Sequence, residues 1–211
     1  ETLVLTAAHC LFHPRTKRRV PLEELRFVPA QRIETSAGVW RVARAAIPPG
    51  FAPSDAPAPA ELRLDIALLE LEGPVPAEAA TPFGVGPLSP SDPPPAIVSY
   101  TRDRAQAPSI DEACPALGAI DEVLVLDCAV ERGISGAPVI LGEGPEARLV
   151  AVVSAMGRMP GGAEFALTVL AEPWFAKLRA ELAAEGEAAE SGGGSDDDGG
   201  NGSGAEGGGN R

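Results

Sequence analysis

The sequence predicts an all-β chain, a pair of β domains followed by one terminal helix, and three observations carry that expectation. The 22 Pro and 24 Gly in 211 residues are more than a helical bundle tolerates. Short runs rich in Val, Ile and Leu recur along the chain with turn residues between them. Only residues 172–185 (EPWFAKLRAELAAE) have helical character, with Pro173 near the start and Phe175, Leu178 and Leu182 at helical spacing.

The elements follow in order. Residues 3–5 (LVL) read as the end of a buried strand, and 24–28 and 39–46 as short strands, the second carrying Val39, Trp40 and Val42. Residues 47–59 (IPPGFAPSDAPAP) are loop by their Pro and Gly content. Residues 62–71 (LRLDIALLEL) form the strongest apolar stretch of the first half, and the Pro-rich 74–95 connects the halves. Further short strands are expected at 96–101, 123–128, 137–141, 149–154 and 164–170. No internal repeat is visible.

Composition excludes several function classes. Hydrophobic residues make up 45%, as in a globular chain, and the net charge is −13. The basic footprint of a nucleic-acid binder is missing. No apolar run approaches the length that spans a bilayer. Residues 186–211 (GEAAESGGGSDDDGGNGSGAEGGGNR) hold 11 of the 24 Gly and carry a charge of −5. With no apolar side chain larger than Ala, this tail cannot offset its own ordering entropy and is expected to be disordered. The Asp196-Asp197-Asp198 run invites a calcium site, but glycine-rich calcium repeats carry a regularly placed large apolar residue that is absent here.

The chemistry is confined by two histidines, His9 and His13. Their four-residue spacing could make a metal pair on one helical face, yet no third ligand accompanies them and Pro14 ends any helix, so no metal is expected. His9 lies in LTAAHC, just after the apolar strand end. Asp65 interrupts LRLDIALLEL, and a carboxylate in so apolar a segment needs a partner. It reads equally as a strand-end Asp facing a backbone donor or as the acid that orients an imidazole. Ser135 sits in ERGISGAPV between Gly133 and Gly136. Taken alone, that GxSG is an ordinary glycine turn; alternatively it exposes a hydroxyl and turns two N–H groups toward one point. It is not the α/β-hydrolase elbow, because Ala137 stands where that motif has Gly. Chain order then discriminates. No His follows Ser135 and no Asp precedes His9, which leaves the order His, Asp, Ser.

Together LTAAHC, DIALLEL and GISGAP resemble the trypsin/chymotrypsin-like serine protease family, in the right order and from Glu1 to about Trp174. The resemblance implies two six-stranded Greek-key β-barrels with a C-terminal helix and the site in the cleft between the barrels. It divides the chain into 1–88, the remainder of an N-terminal barrel; 89–185, a C-terminal barrel plus helix; and the 186–211 tail. The family's base histidine follows several strands, so Glu1 is expected to be a truncation point and the first barrel incomplete, with open edges. By resemblance His9 is general base and then acid, Asp65 holds its tautomer, and Ser135 is the acylated nucleophile. The N–H groups of Gly133 and Ser135 form the oxyanion hole.

Departures from the family refine this. Ile134 stands where animal digestive and clotting members carry an Asp that pairs with a cleaved N-terminus, which suggests a bacterial-type member without that activation. Ala137 replaces a usual Gly or Ser. Ala129 occupies the pocket-base position in place of the Asp of trypsin-like specificity. The segment 153–157 (VSAMG) resembles the strand that lines the pocket and pairs with substrate backbone, Ser154 matching the serine that hydrogen-bonds the triad Asp. Ala129, Ala155 and Met156 as walls imply a small or medium apolar residue on the acyl side of the cleaved bond. Arg132, beside the oxyanion hole, is expected to face water. Cys114 and Cys128 bracket a hairpin that a bridge would brace, and Cys10 is left over; three reduced thiols are the competing reading of the count. The resemblance favours a disulfide in a secreted or periplasmic protein. The expectation is a monomeric serine endopeptidase acting on polypeptides through an acyl-enzyme, without cofactor. The alternative is a catalytically inactive homologue acting as a binding module.

Overall fold

The structure, a computed structural model, describes residues 1–131 and 133–192. The expectations for Arg132 and for Asp196–Asp198 fall outside them. Twelve strands form two sheets among the described residues. The first sheet comprises β1 (Leu3–Thr6), β2 (Arg26–Phe27), β3 (Trp40–Ala46) and β4 (Ala67–Leu71), in the order β1-β4-β3-β2. Alternation along these strands feeds a core of Leu11, Val42, Leu69, Leu71 and Val75.

The second sheet holds β5 (Gly84–Val85), β6 (Ala96–Ser99), β7 (Ser109–Asp111), β8 (Ala116–Ile120), β9 (Val123–Leu126), β10 (Pro138–Leu141), β11 (Arg148–Arg158) and β12 (Glu164–Leu170). Its order is β7-β6-β10-β11-β12-β9-β8, with β5 added in parallel to β11. The two end strands, β7 and β8, are separated only by residues 112–115. One bent segment therefore supplies both edges of the sheet. The fold is mostly β with two sheets and one C-terminal helix, as the sequence predicts.

The Cys114–Cys128 disulfide forms, tying the bend to the end of β9. A closed loop of that size contributes about 3 kcal/mol on the chain-entropy account. Of the two readings of the cysteines, the bridged one holds, and Cys10 is free and exposed.

Helix α2 (Glu172–Gly192) locks the two sheets together. Trp174, Leu178 and Leu182 recur every four residues and are buried against Leu68 of the first sheet, Ala7 and Ile66 just beyond its strand ends, and Val152 and Val169 of the second. Trp174 rather than Phe175 leads the buried stripe; Phe175 is only partly covered. The helix also runs to Gly192, so the expectation of a disordered tail from 186 onward is corrected for 186–192. The packed turns before it supply the nucleus, and each added Ala or Glu then costs little to propagate. Arg44 of β3 donates to the Leu182 carbonyl and pairs with Glu70, bracing that end. No described helix is long and apolar enough to cross a membrane.

Other boundaries shift for local reasons. Leu22–Glu24 is a 3-10 turn after Pro21, which leaves only Arg26–Phe27 extended. Residues 59–62 form a single helical turn, α1 (Pro59–Leu62), started by Pro59 and capped by Glu61 Oε2, which accepts the Ala58 N–H at 2.7 Å. The apolar stretch 62–71 is thus half turn and half strand, with Asp65 at the junction.

Candidate active site

Antiparallel pairing of β1 with β4 sets Thr6 opposite Ala67. Running three residues on from Thr6 and two back from Ala67 brings His9 and Asp65, 56 residues apart in sequence, to the same end of the sheet. His9 rides on a 3-10 turn (Ala8–Leu11), whose neighbours Ala7 and Ala8 are fully buried. Asp65 is 5% exposed and its carboxylate is fully engaged. Oδ1 accepts the His9 backbone N–H at 2.8 Å, and Oδ2 lies 2.7 Å from His9 Nδ1 while also accepting the Ser154 hydroxyl. Asp65 thus meets both partners the sequence offered, a backbone donor through Oδ1 and an imidazole through Oδ2. With Nδ1 as donor to the carboxylate, Nε2 is the ring nitrogen left to accept a proton.

Ser154 reaches Asp65 from the second sheet. In the ladder with β12, Val153 pairs with Thr168 and Ala155 with Leu167, so Ser154 is the extra residue of a bulge. Such a bulge re-aims a side chain, and here it turns a hydroxyl from β11 into the seam between the sheets.

Ser135 is exposed on the loop between β9 and β10. Gly133 (φ +110°) and Gly136 (φ +82°) flank it, conformations that L side chains rarely adopt. Ile134 is buried in the second core and the Gly136 N–H donates to the Val153 carbonyl at 2.8 Å, so the loop is pinned on both sides of the serine. Ile134 is therefore a packing residue. Gly136 also abuts the other half: a Cβ there would stand 2.5 Å from Thr6 Oγ1 and 3.6 Å from Cys10 Sγ. Ser135 and His9 thus sit on loops in contact, though no hydrogen bond joins their side chains. His9 Nε2 instead meets Cys10 Sγ at 3.9 Å.

The His9 imidazole carries opposing influences. Burial pulls its pKa down; the Asp65 hydrogen bond, the Cys10 contact and the charges of both raise it, and the net value is pushed up to about 10. His13 is not part of this arrangement. Its Nδ1 accepts the backbone N–H groups of Arg15 and Thr16 in an exposed turn, and no group of three or more His, Cys, Asp or Glu among the described residues could hold a metal.

A cavity of about 140 Å³ opens beside His9, bounded by Ser154 and Ala155 on one side and by Phe51, Pro57 and Leu62 on the other. Ala129 and Met156, the other two expected pocket residues, are exposed and do not line it. The sequence did not mark the wall at residues 51–62 as part of a site: it shows a Pro-rich loop over 47–59 and an apolar stretch from Leu62. A larger cavity, about 430 Å³, lies between residues 88–95 and β8, remote from His9, and its one carboxylate, Asp92, is paired with Arg148 at 3.0 Å.

No family model matches the chain, and no curated protein matches it in sequence. Solved structures do match in shape. One is a thermostable serine protease, AL20, from an extremophilic microorganism (TM-score 0.60, 18% identity, covering 80% of this chain and 78% of that one). Another is a Glu endopeptidase in complex with MPD (TM-score 0.64, 13% identity, covering 87% and 81%). The chain has the fold of the chymotrypsin-like serine proteases.

Proposed function

We propose that the chain is a serine endopeptidase, with Ser135 as nucleophile, His9 as general base and acid, and Asp65 as the residue that orients the imidazole. The observation that carries the reading is the buried Asp65 carboxylate, shared between His9 Nδ1 and Ser154, at a seam where the Ser135 loop packs against the His9 turn. Ser135 Oγ attacks the peptide carbonyl carbon as its proton passes to His9 Nε2. The Gly133 and Ser135 N–H groups receive the oxyanion. The C–N bond then breaks, the amine takes the proton from His9, and water repeats the sequence on the acyl-enzyme. The Ser135–His9 hydrogen bond tightens when substrate fills the cleft, as such contacts do in other hydrolases.

The cleft lies between residues 1–88 and 89–185. Ala129, Ala155 and Met156 shape the site for the acyl residue and favour a small or medium apolar side chain. The segment 153–157 has no basic residue, so a preference for glutamate there is not adopted from the Glu endopeptidase. The disulfide fits a secreted or periplasmic protein.

Labelling with a fluorophosphonate tests the reading, comparing the chain with its Ser135→Ala variant. Labelling of the parent alone is expected. A folded parent that takes up no probe overturns the reading in favour of an inactive, ligand-binding homologue.

A further inference from the structure

The cavity beside His9 has a charge pattern that the hydrolytic reading does not use. Its lining carries three carboxylates, Asp55, Glu61 and Asp65, and no Lys or Arg. Asp65 is matched by His9, and Asp55 is paired with Lys17 from the neighbouring turn. Glu61 makes no ion pair among the described residues. One of its oxygens accepts the Ala58 N–H, and the exposed side chain keeps the other open to solvent.

The walls are apolar and held in place. The Phe51 ring packs on Phe12 with centroids 5.7 Å apart, the Lys17–Asp55 pair ties this loop to the 13–18 turn, and buried Leu62 forms the floor. An aliphatic stem lying on Phe51, Pro57 and Leu62 would carry a cationic head to the Glu61 carboxylate, as long basic side chains do at apolar surfaces with a polar rim. An acidic side chain would meet the unpaired Glu61 carboxylate, since the positive charges nearby, His9 and Lys17, are already matched by Asp65 and Asp55. Because Ala129 and Met156 do not line this cavity, the side chain it takes belongs to a residue next to the one whose carbonyl is attacked.

We propose that this cavity is a subsite for a Lys or Arg side chain of the substrate, with Glu61 as its specificity-determining residue and Asp55 as a lesser contributor. The proposal rests on the protease reading for the ligand being a polypeptide, and it is tested by binding so that the two can fail separately.

Short peptides with a central Ala and Lys, Gln or Glu at each neighbouring position are titrated against the full chain carrying Ser135→Ala, and the same peptides are offered to the parent for cleavage. The Lys peptide is expected to bind about tenfold tighter than the Glu peptide at one of the two positions, attraction and repulsion adding. Rising salt should shrink the ratio. Glu61→Gln, which keeps an oxygen for the Ala58 N–H, should bring it to within about threefold, and Asp55→Asn should reduce it less. Equal binding of the Lys and Glu peptides, no binding of either, or a preference that survives Glu61→Gln overturns the subsite. Lys-selective binding without cleavage by the parent sustains the subsite and removes the protease reading. Cleavage without selectivity does the reverse.

Discussion

Gly136 lies so close to Thr6 that a Cβ on the glycine would stand 2.5 Å from the threonine Oγ1. This contact sets the distance between the Ser135 loop and the strand that delivers His9. Gly136 is also at φ +82°, so any side chain there is strained twice.

Gly136→Ala is therefore expected to lose about 1–3 kcal/mol of stability from backbone strain and to slow fluorophosphonate labelling of Ser135 at least tenfold. Adding Thr6→Ala makes room for the new methyl group and should recover part of the labelling rate while leaving the φ strain. A double-mutant cycle by calorimetry and labelling kinetics reads both effects. Parental labelling by Gly136→Ala would show that loop spacing does not control the serine.

Asp65 and Ser154 separate orientation from packing. Asp65→Asn keeps the shape but reverses the donor sense at His9 Nδ1, so on the proposed mechanism activity should fall by about 10⁴-fold. Ser154→Ala removes one of the contacts on the carboxylate and leaves the His9 bonds intact. Its main expected effect is on stability, about 2 kcal/mol for a buried hydrogen bond to a charged group, with at most a tenfold loss of activity. Thermal melts and steady-state rates on both variants check this. An Asp65→Asn enzyme as fast as the parent would remove Asp65 from the mechanism.

Much of this site was legible because it is written in local sequence. LTAAHC places a histidine one turn beyond a strand, and the misfit of Asp65 in an apolar run announces a partner. The glycines around Ser135 read alone as an ordinary turn, and only the resemblance singled the serine out. What stayed hidden depends on tertiary contact. The segment 109–120 lacks a clean apolar run, since β8 is exposed along its length, yet it supplies both edges of the second sheet. The two residues of β5 pair with β11 only because the connection happens to pass there. Helical spacing in α2 fits Phe175 as well as Trp174, and only the approach of the two sheets decides which is buried. The cavity walls at Phe51 and Pro57 come from a segment whose Pro content says loop and nothing more, and Glu61 from a helical turn the sequence did not mark.

The last expectation concerns pH. On the proposed mechanism His9 accepts a proton from Ser135 only as neutral imidazole, and its pKa in the free protein is pushed from the ordinary 6.5 up to about 10. Burial opposes the shift, while Asp65 and Cys10 drive it. Below that value the base form falls tenfold per pH unit, so kcat/KM should climb with pH from neutrality and level off near 10. The stability linkage has the opposite slope. The folded pKa is raised, so the stabilisation by the imidazolium is complete below 6.5 and is lost as pH rises through about 10, and Tm should decline across that window. Cys10→Ala removes the Sγ contact on Nε2 at 3.9 Å while leaving the Asp65 bonds untouched. It should move the activity limb to lower pH and raise the rate near neutrality. A pH–rate profile from 6 to about 11 on both proteins decides the matter. A limb that stays put in Cys10→Ala would show that the thiol does not act on the imidazole, and a limb already level at 7 would show that substrate-free His9 is neutral there.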